Sequence, residues 1–410
     1  MKRGLLGVLA VTITGLAAAN LSLILISCAT KHKQPDFSLE GANYIVDLDG
    51  EKEISIPLSS LFKRVKTIIL ETNKDCLIGR FSDIQVFDGY IYILDSRVAK
   101  CLLVFDLEGR FVRKIGGIGG GPGEYAEINA FTLDTENRMI YLRIQRNNVH
   151  KYKLDGTFIH SFTIQADKGD AGFIQFYNGS LYASFIGWET SKDDFLLLEI
   201  DPNNGQVLSQ SLSIKYNKGW NEAYYDAYSR FFMSRANNPP RYNQMFMDYV
   251  VSIGKEITPY IELKSKNLTT EKDIQNFRGE KSIPDYNNID MSSKLFSVHC
   301  FIENDDFICF RYGMNFPFVV ILNKKNGDVK LTNRLNNDLI FKQDQTGRLG
   351  HFVFADAQGA YVLLDTQSRA LNDFRSAVKN NEIVPDLDKL DELMKLEEDA
   401  NPVILFYEFK

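Results

Sequence analysis

The chain has 410 residues, 44% of them hydrophobic, 24% charged and 12% aromatic, with 28 Gly and 11 Pro. That composition excludes a disordered chain, a collagen-like repeat and a small disulfide scaffold. The formal net charge of −6 provides no general attraction for nucleic acid. Length alone leaves open roughly two or three average domains or one large β-rich unit.

Met1, Lys2 and Arg3 form a cationic start, and Gly4 to Ile26 is uncharged and mostly apolar, ending at Leu25-Ile26-Ser27-Cys28. This stretch resembles a bacterial lipoprotein signal peptide with its lipobox. The resemblance implies a diacylglyceryl group on Cys28 and removal of residues 1–27. The other reading of the same residues is an uncleaved membrane helix, since roughly 20 apolar residues span a bilayer. After cleavage, residues 28–40 would be a polar tether and 41–410 the folded body. Ala29-Thr30-Lys31-His32-Lys33 carries no acidic run of the kind that marks surface export in some lipoproteins of gut anaerobes. The expected address is therefore the cell envelope, lipid-anchored to a membrane and facing the periplasm.

The other cysteines, Cys76, Cys101, Cys300 and Cys309, form no CxxC, and the histidines are scattered, so a zinc site has no support from spacing. Cys101 and Cys309 lie in apolar, strand-like runs, so buried thiols are expected.

From residue 84 onward, short aromatic and β-branched runs recur, each closed by a Gly, Asn or Asp turn. Ile84–Phe87 and Tyr90–Leu94 flank Asp88-Gly89, and Leu102–Phe105 and Phe111–Ile115 flank a turn ending at Gly109. The same two-hairpin phrase returns from Phe131, from Phe173, around Tyr249–Ile253, from Phe301 and from His351. Gly109, Gly156, Gly205 and Gly254 are 47, 49 and 49 residues apart, the period of a four-stranded blade. Six phrases predict an all-β, six-bladed propeller. The last lacks a fourth strand, which either Tyr44–Ile56 or Val65–Leu70 would supply, joining the two ends of the ring.

Ile115 to Tyr125, containing Gly121-Pro122-Gly123-Glu124-Tyr125, follows Phe105-Asp106-Leu107-Glu108-Gly109. With Ile93-Leu94-Asp95-Ser96 and the late Asn401-Pro402-Val403, this resembles the six-bladed propeller lipoproteins of gut anaerobes, relatives of NHL-repeat propellers. The resemblance covers nearly the whole mature chain and implies the fold, not a reaction. The glycine stretch matches neither phosphate-binding pattern. It reads instead as a crossover between blades, with Glu124 and Tyr125 partly structural.

If strands run from inner to outer within each blade, all the long insertions fall on one face. They include 116–128, 217–232, 266–295 and 366–400. Ser368–Lys379 and Leu387–Glu397 show apolar residues at helical spacing, and helical insertions are expected near 266–295 and 366–400. Loops gathered on one side of a rigid scaffold are where binding usually resides. That face is expected to present Arg80, Arg97, Glu124, Tyr125, Arg146, Trp188, Trp220, Arg311 and Tyr312. Aromatic platforms beside Arg and Glu suit a carbohydrate or small anion.

No nucleophile elbow, HExxH or EF-hand loop occurs. The leading expectation is a membrane-anchored, non-enzymatic propeller that binds a glycan, a peptide or a partner protein, with no cofactor. A component of an outer-membrane uptake complex is a further expectation. The alternative is a propeller hydrolase or lyase with a metal in the central channel, for which Asp83, Asn129, His299 and His351 would be ligands.

Overall fold

A computed structural model of the chain describes residues 32–33, 38, 40–167, 169–186, 194–218, 229–232, 238–273, 295, 297–313, 318–343, 351–365, 369–384 and 387–410. Six antiparallel sheets, each contributing four strands to a blade, follow one another around a ring. Blade I is Asp83–Phe87, Tyr90–Asp95, Cys101–Asp106 and Phe111–Ile115; blade II is Ile128–Asp134, Met139–Ile144, Asn148–Lys153 and Phe158–Thr163. Blade III is Asp170–Tyr177, Ser180–Ile186, Phe195–Ile200 and Val207–Ser213; blade IV is Ser229–Phe232, Arg241–Gln244, Tyr249–Ile253 and Ile257–Lys264. Blade V is Val298–Glu303, Phe307–Tyr312, Phe318–Asn323 and Val329–Thr332. In blade VI, Phe352–Ala355, Gly359–Leu364 and Val403–Phe409 are completed by Phe62–Ile69 from the other end of the chain.

The closing strand is thus the Val65–Leu70 region, antiparallel to the last strand with Ile69 opposite Val403 and Phe62 opposite Phe409. Tyr44–Asp47 adds a parallel fifth strand to blade IV, and Lys52–Glu53 adds one to blade V. His32–Lys33, within the expected tether, pairs in the same parallel sense with the outer strand of blade III. The N-terminal segment is therefore a belt that passes the rims of blades III, IV and V before it becomes part of blade VI. Its backbone occupies edges that would otherwise expose unpaired N–H and C=O groups. Blade IV also differs from the sequence reading: Ser229–Phe232, assigned there to an insertion, is its first strand.

The core is a ring of apolar wedges, each shared by two neighbouring blades. Between blades I and II, Leu94, Leu102 and Ile115 meet Ile128, Phe131 and Leu142. Between blades VI and I, Ile404 and Tyr361 meet Ile84, Ile91 and Leu103. Strand residues are buried on both faces because each blade has a neighbour on either side, which is why the strand sequences are nearly continuous apolar runs. Cys76, Cys101 and Cys309 are buried free thiols in these wedges.

Two helices occupy the insertion between the second and third strands of blade VI, α1 (Arg369–Lys379) and α2 (Leu390–Lys395). Leu371, Phe374 and Ala377 of α1 and Leu393 of α2 enter the wedge between blades V and VI. The predicted helical spacing is therefore the imprint of packing on the ring.

Blades IV and V are also joined by buried charge. Glu303, fully buried, accepts from Arg241 at 3.0 and 3.2 Å, from Lys324 at 2.7 Å and from the Tyr260 hydroxyl at 2.5 Å. Burial raises the Glu303 pKa, but hydrogen bonding and charge from Arg241, with Lys324 and Tyr260, outweigh it and hold the carboxyl below its ordinary range.

Candidate binding face

The loop leading into blade I and the loop between its second and third strands are fixed by two fully buried polar side chains. Asp95 ends the second strand, and its carboxylate accepts the backbone N–H groups of Gly79 and Arg80 at 2.8 and 2.9 Å and of Arg97 and Val98 at 3.0 and 2.8 Å. Burial raises its pKa, yet the backbone donors, Val98 first and then Arg80, Ala99 and Arg97, bring the net shift below the ordinary value. Asn401 accepts from the Ile78 N–H at 2.8 Å and donates to the carbonyls of Glu71 and Cys76 at 2.6 and 2.8 Å. Its own N–H donates to the Thr72 hydroxyl at 2.8 Å. Both residues act as caps for loop backbone that no strand partner satisfies.

This framework holds Arg80 and Arg97 exposed on neighbouring loops. Val98 lies against Gly79 so closely that a Cβ there would be 2.4 Å from its Cγ1, yet Val98 remains 66% exposed. Leu77, on the loop held by Asn401, is 49% exposed, and Ile118, on the loop leaving the blade, is 56% exposed. Loops entering, topping and leaving blade I therefore present three large aliphatic side chains and two arginines on the same face.

The glycine stretch has a structural role. Gly117–Ile118 pairs in parallel with Glu124–Tyr125, and the Glu124 carboxylate accepts the Gly121 N–H at 2.7 Å. A Cβ at Gly119 would lie 2.0 Å from Glu124 Oε2, so that position accommodates the cap only as glycine. At Gly123, with φ +78°, a Cβ would come within 2.9 Å of the Phe158 ring. Tyr125 is 3% exposed and wedges between blades I and II, while Tyr152 donates its hydroxyl to the Gly123 carbonyl at 2.5 Å. The Tyr125 ring is thus core, and offers no stacking platform on the surface.

Arg146 is exposed at the loop end of blade II, where its carbonyl accepts from Arg143 at 2.9 Å. Burial pushes the Arg143 guanidinium down to about 10, with Asp170 opposing the change. Arg311 is half-buried opposite His299 in blade V. Tyr312 is fully buried, and burial, with the Asp248 charge, drives its pKa well above the ordinary value. Trp188, Trp220 and Cys28 lie outside the described residues.

The proposed channel ligands are dispersed in their interactions. The Asp83 carboxylate accepts the Ile84 N–H at 2.8 Å, and Asn129 donates to the Ile144 carbonyl at 3.4 Å. His299 is half-buried and His351 exposed. Among the described residues, no three His, Cys, Asp or Glu side chains gather closely enough to hold a metal ion.

Sequence reasoning missed Leu77, Val98 and Ile118, because an apolar loop residue carries no chemical signature. It included Asp95 and Asn401 only as parts of a resemblance; the signal available was a polar residue at a strand end that faces an irregular loop.

The DUF4934 family, described as a domain of unknown function, matches residues 43–408. The chain belongs to that family. Among solved structures, this DUF4934 chain is similar to a Bacteroides fragilis protein provisionally described as exported. The TM-score is 0.68 at 20% identity, over 89% of this chain and 99% of that one. A DUF4221 member from Bacteroides vulgatus is more distant, with a TM-score of 0.49 and 11% identity, over 85% of this chain and 97% of that one. The first likeness supports the propeller fold and nothing finer. No curated protein matches the chain.

Proposed function

We propose that this DUF4934 protein is a lipid-anchored envelope protein that binds a partner protein or peptide, without catalysis, through the loop face around blade I. The observation that carries the reading is the pair Leu77 and Val98, exposed with Arg80 and Arg97 on loops pinned by Asn401 and Asp95, with Ile118 exposed on the loop leaving the same blade. Aliphatic groups on preorganised backbone contribute binding energy at a reduced ordering cost, and arginine supplies orientation. A protein surface or peptide with apolar and acidic residues complements such a patch. Among the described residues of that face, the aromatic candidates for stacking a glycan, Tyr125 and Tyr312, are core residues.

The anchoring half of the reading rests on Cys28 and its upstream segment, and on the description of the similar B. fragilis protein as exported. Among the described residues, no helix is long and apolar enough to cross a membrane. Lys31, His32 and Lys33, following the cysteine without an acidic run, favour the periplasmic side.

The test is quantitative co-purification from crosslinked envelopes of the wild type and of a Leu77→Asp/Val98→Asp double variant. A set of proteins depleted about tenfold in the variant, with unchanged propeller abundance, is expected. Identical recovery from both would refute the assignment of the face. Chelator-sensitive turnover with stoichiometric bound metal would instead favour the hydrolase or lyase reading.

A further inference from the structure

The opposite face, where first and second strands turn, carries two adjoining cavities. One, of about 230 Å3, opens among the turns of blades VI, I and II and is lined by Val86, Phe87, Leu107, Leu133 and Phe354. Three of the polar side chains on its wall, Gln85, Asp88 and Asp356, are already engaged. Gln85 donates to the Phe131 carbonyl at 3.4 Å and accepts the Leu133 N–H at 3.2 Å. Asp356 accepts the Tyr361 hydroxyl at 2.6 Å and the N–H groups of Gln358 and Gly359 at 2.7 and 3.0 Å. Asp88 accepts from Arg138 at 2.5 Å. An occupant meets mainly apolar side chains and carboxylate and amide groups already bonded elsewhere, so an apolar group fits best. The volume is below the roughly 300–1,000 Å3 of pockets that enclose a whole ligand, which points to a single inserted side chain.

Ala357 and Gln358 border both this pocket and a second cavity, of about 430 Å3, lined by Lys63, Arg64, Lys66 and Lys410. Glu408 accepts from Arg64 at 2.7 Å and lies 3.7 Å from Lys63. Lys66 is exposed, and among the described residues no carboxylate lies within ion-pair distance of it. Among the side chains that line it, Lys63, Arg64, Lys66 and Lys410 against the single Glu408 leave this groove basic.

We propose that this face holds a second binding site, for an acidic peptide segment. One aromatic or aliphatic side chain enters the pocket lined by Phe87 and Phe354, and flanking carboxylates lie against Lys63, Arg64 and Lys66. A peptide reaches across the Ala357–Gln358 turn from pocket to groove, whereas a side-chain-sized pocket holds only one end of such a ligand. Charge complementarity selects acidic sequences, and the pocket selects those with an apolar residue among the acids. The site is independent of the loop face around blade I.

Fluorescence anisotropy of the full chain in detergent with the labelled peptide GDEFEDG tests the proposal. Saturable binding is expected, about tenfold weaker for GDEAEDG and for the uncharged GNQFQNG. Lys63→Glu/Lys66→Glu and Ala357→Trp, which blocks the turn between the cavities, are each expected to weaken GDEFEDG about tenfold at an unchanged urea midpoint. Val98→Asp, on the other face, leaves this binding as in the wild type. Absence of GDEFEDG binding overturns the proposal. Equal affinity for GDEFEDG and GDEAEDG overturns it in favour of a plain cationic patch, and competition by phenylacetate at the same concentration as unlabelled peptide overturns it in favour of a small-molecule site.

Discussion

Asp95 does for the loops of blade I what a capping side chain does for a helix end: one buried carboxylate satisfies backbone donors from two segments, 79–80 and 97–98. Replacing it with Ala leaves those donors without a partner in a buried setting. Asp95→Ala is expected to cost about 2–4 kcal/mol in urea unfolding, more than a surface substitution such as Arg97→Ala. The acid sensitivity has a definite sign. Asp95 and Glu303 both have folded-state pKa values below their ordinary ones. Their stabilisation is therefore complete above the unfolded-state carboxylate range and is lost as pH falls through the depressed folded values. The wild-type urea midpoint should drop on acidification below about pH 4, and the drop should be shallower in Asp95→Ala. The importance of such residues was hidden in the sequence, since Asp in a strand-end turn is commonplace; only the three-dimensional approach of loops 79–80 and 97–98 gives this one its role.

Among the elements, the outer strands show how the ring manages its edges. The belt covers those of blades III, IV and V. Of the other outer strands, Phe62–Ile69 carries Lys63, Arg64 and Lys66, and Phe111–Ile115 carries Arg113 and Lys114. Charges of this kind discourage edge-to-edge pairing. Phe158–Thr163 in blade II has none, and Ile159 there is 41% exposed. Ile159→Lys should therefore slow aggregation during heating while leaving the urea midpoint unchanged; an unaltered light-scattering trace would show that this edge is not where association begins. The period of the glycine turns made the blades legible, because each hairpin is closed by local chemistry. The belt was not legible in this way. Tyr44–Asp47 pairs with Ile257–Lys264, more than 200 residues away, and short apolar runs state neither partner nor direction. The first hairpin of blade IV was missed for a related reason: Ser229–Phe232 and Arg241–Gln244 are joined through residues 233–240, which hold no glycine of the kind that closes the other hairpins.

The whole molecule is a ring closed by its own N-terminal segment, with apolar wedges between all neighbouring blades. Closure by Phe62–Ile69 ties the beginning of the folded body to its last strand. The fold was readable because it repeats. The candidate site was readable only as a face: topology put Arg80 and Arg97 on the loop side of the ring, where both are exposed, while burial removed Tyr125 and Tyr312 from the surface. Whether a tyrosine in a loop points outward depends on what the next blade offers it, and Tyr125 finds Leu102, Ile115 and Tyr152 in a shared wedge. The claim that the loop face around blade I meets a partner is tested most directly by a photo-crosslinking amino acid placed at Val98 and, separately, at Asn326 on the opposite side, in cells that make the anchored protein. A discrete crosslinked adduct from position 98 and none from position 326 is predicted. Equal labelling at the two positions, or none at position 98, would contradict it.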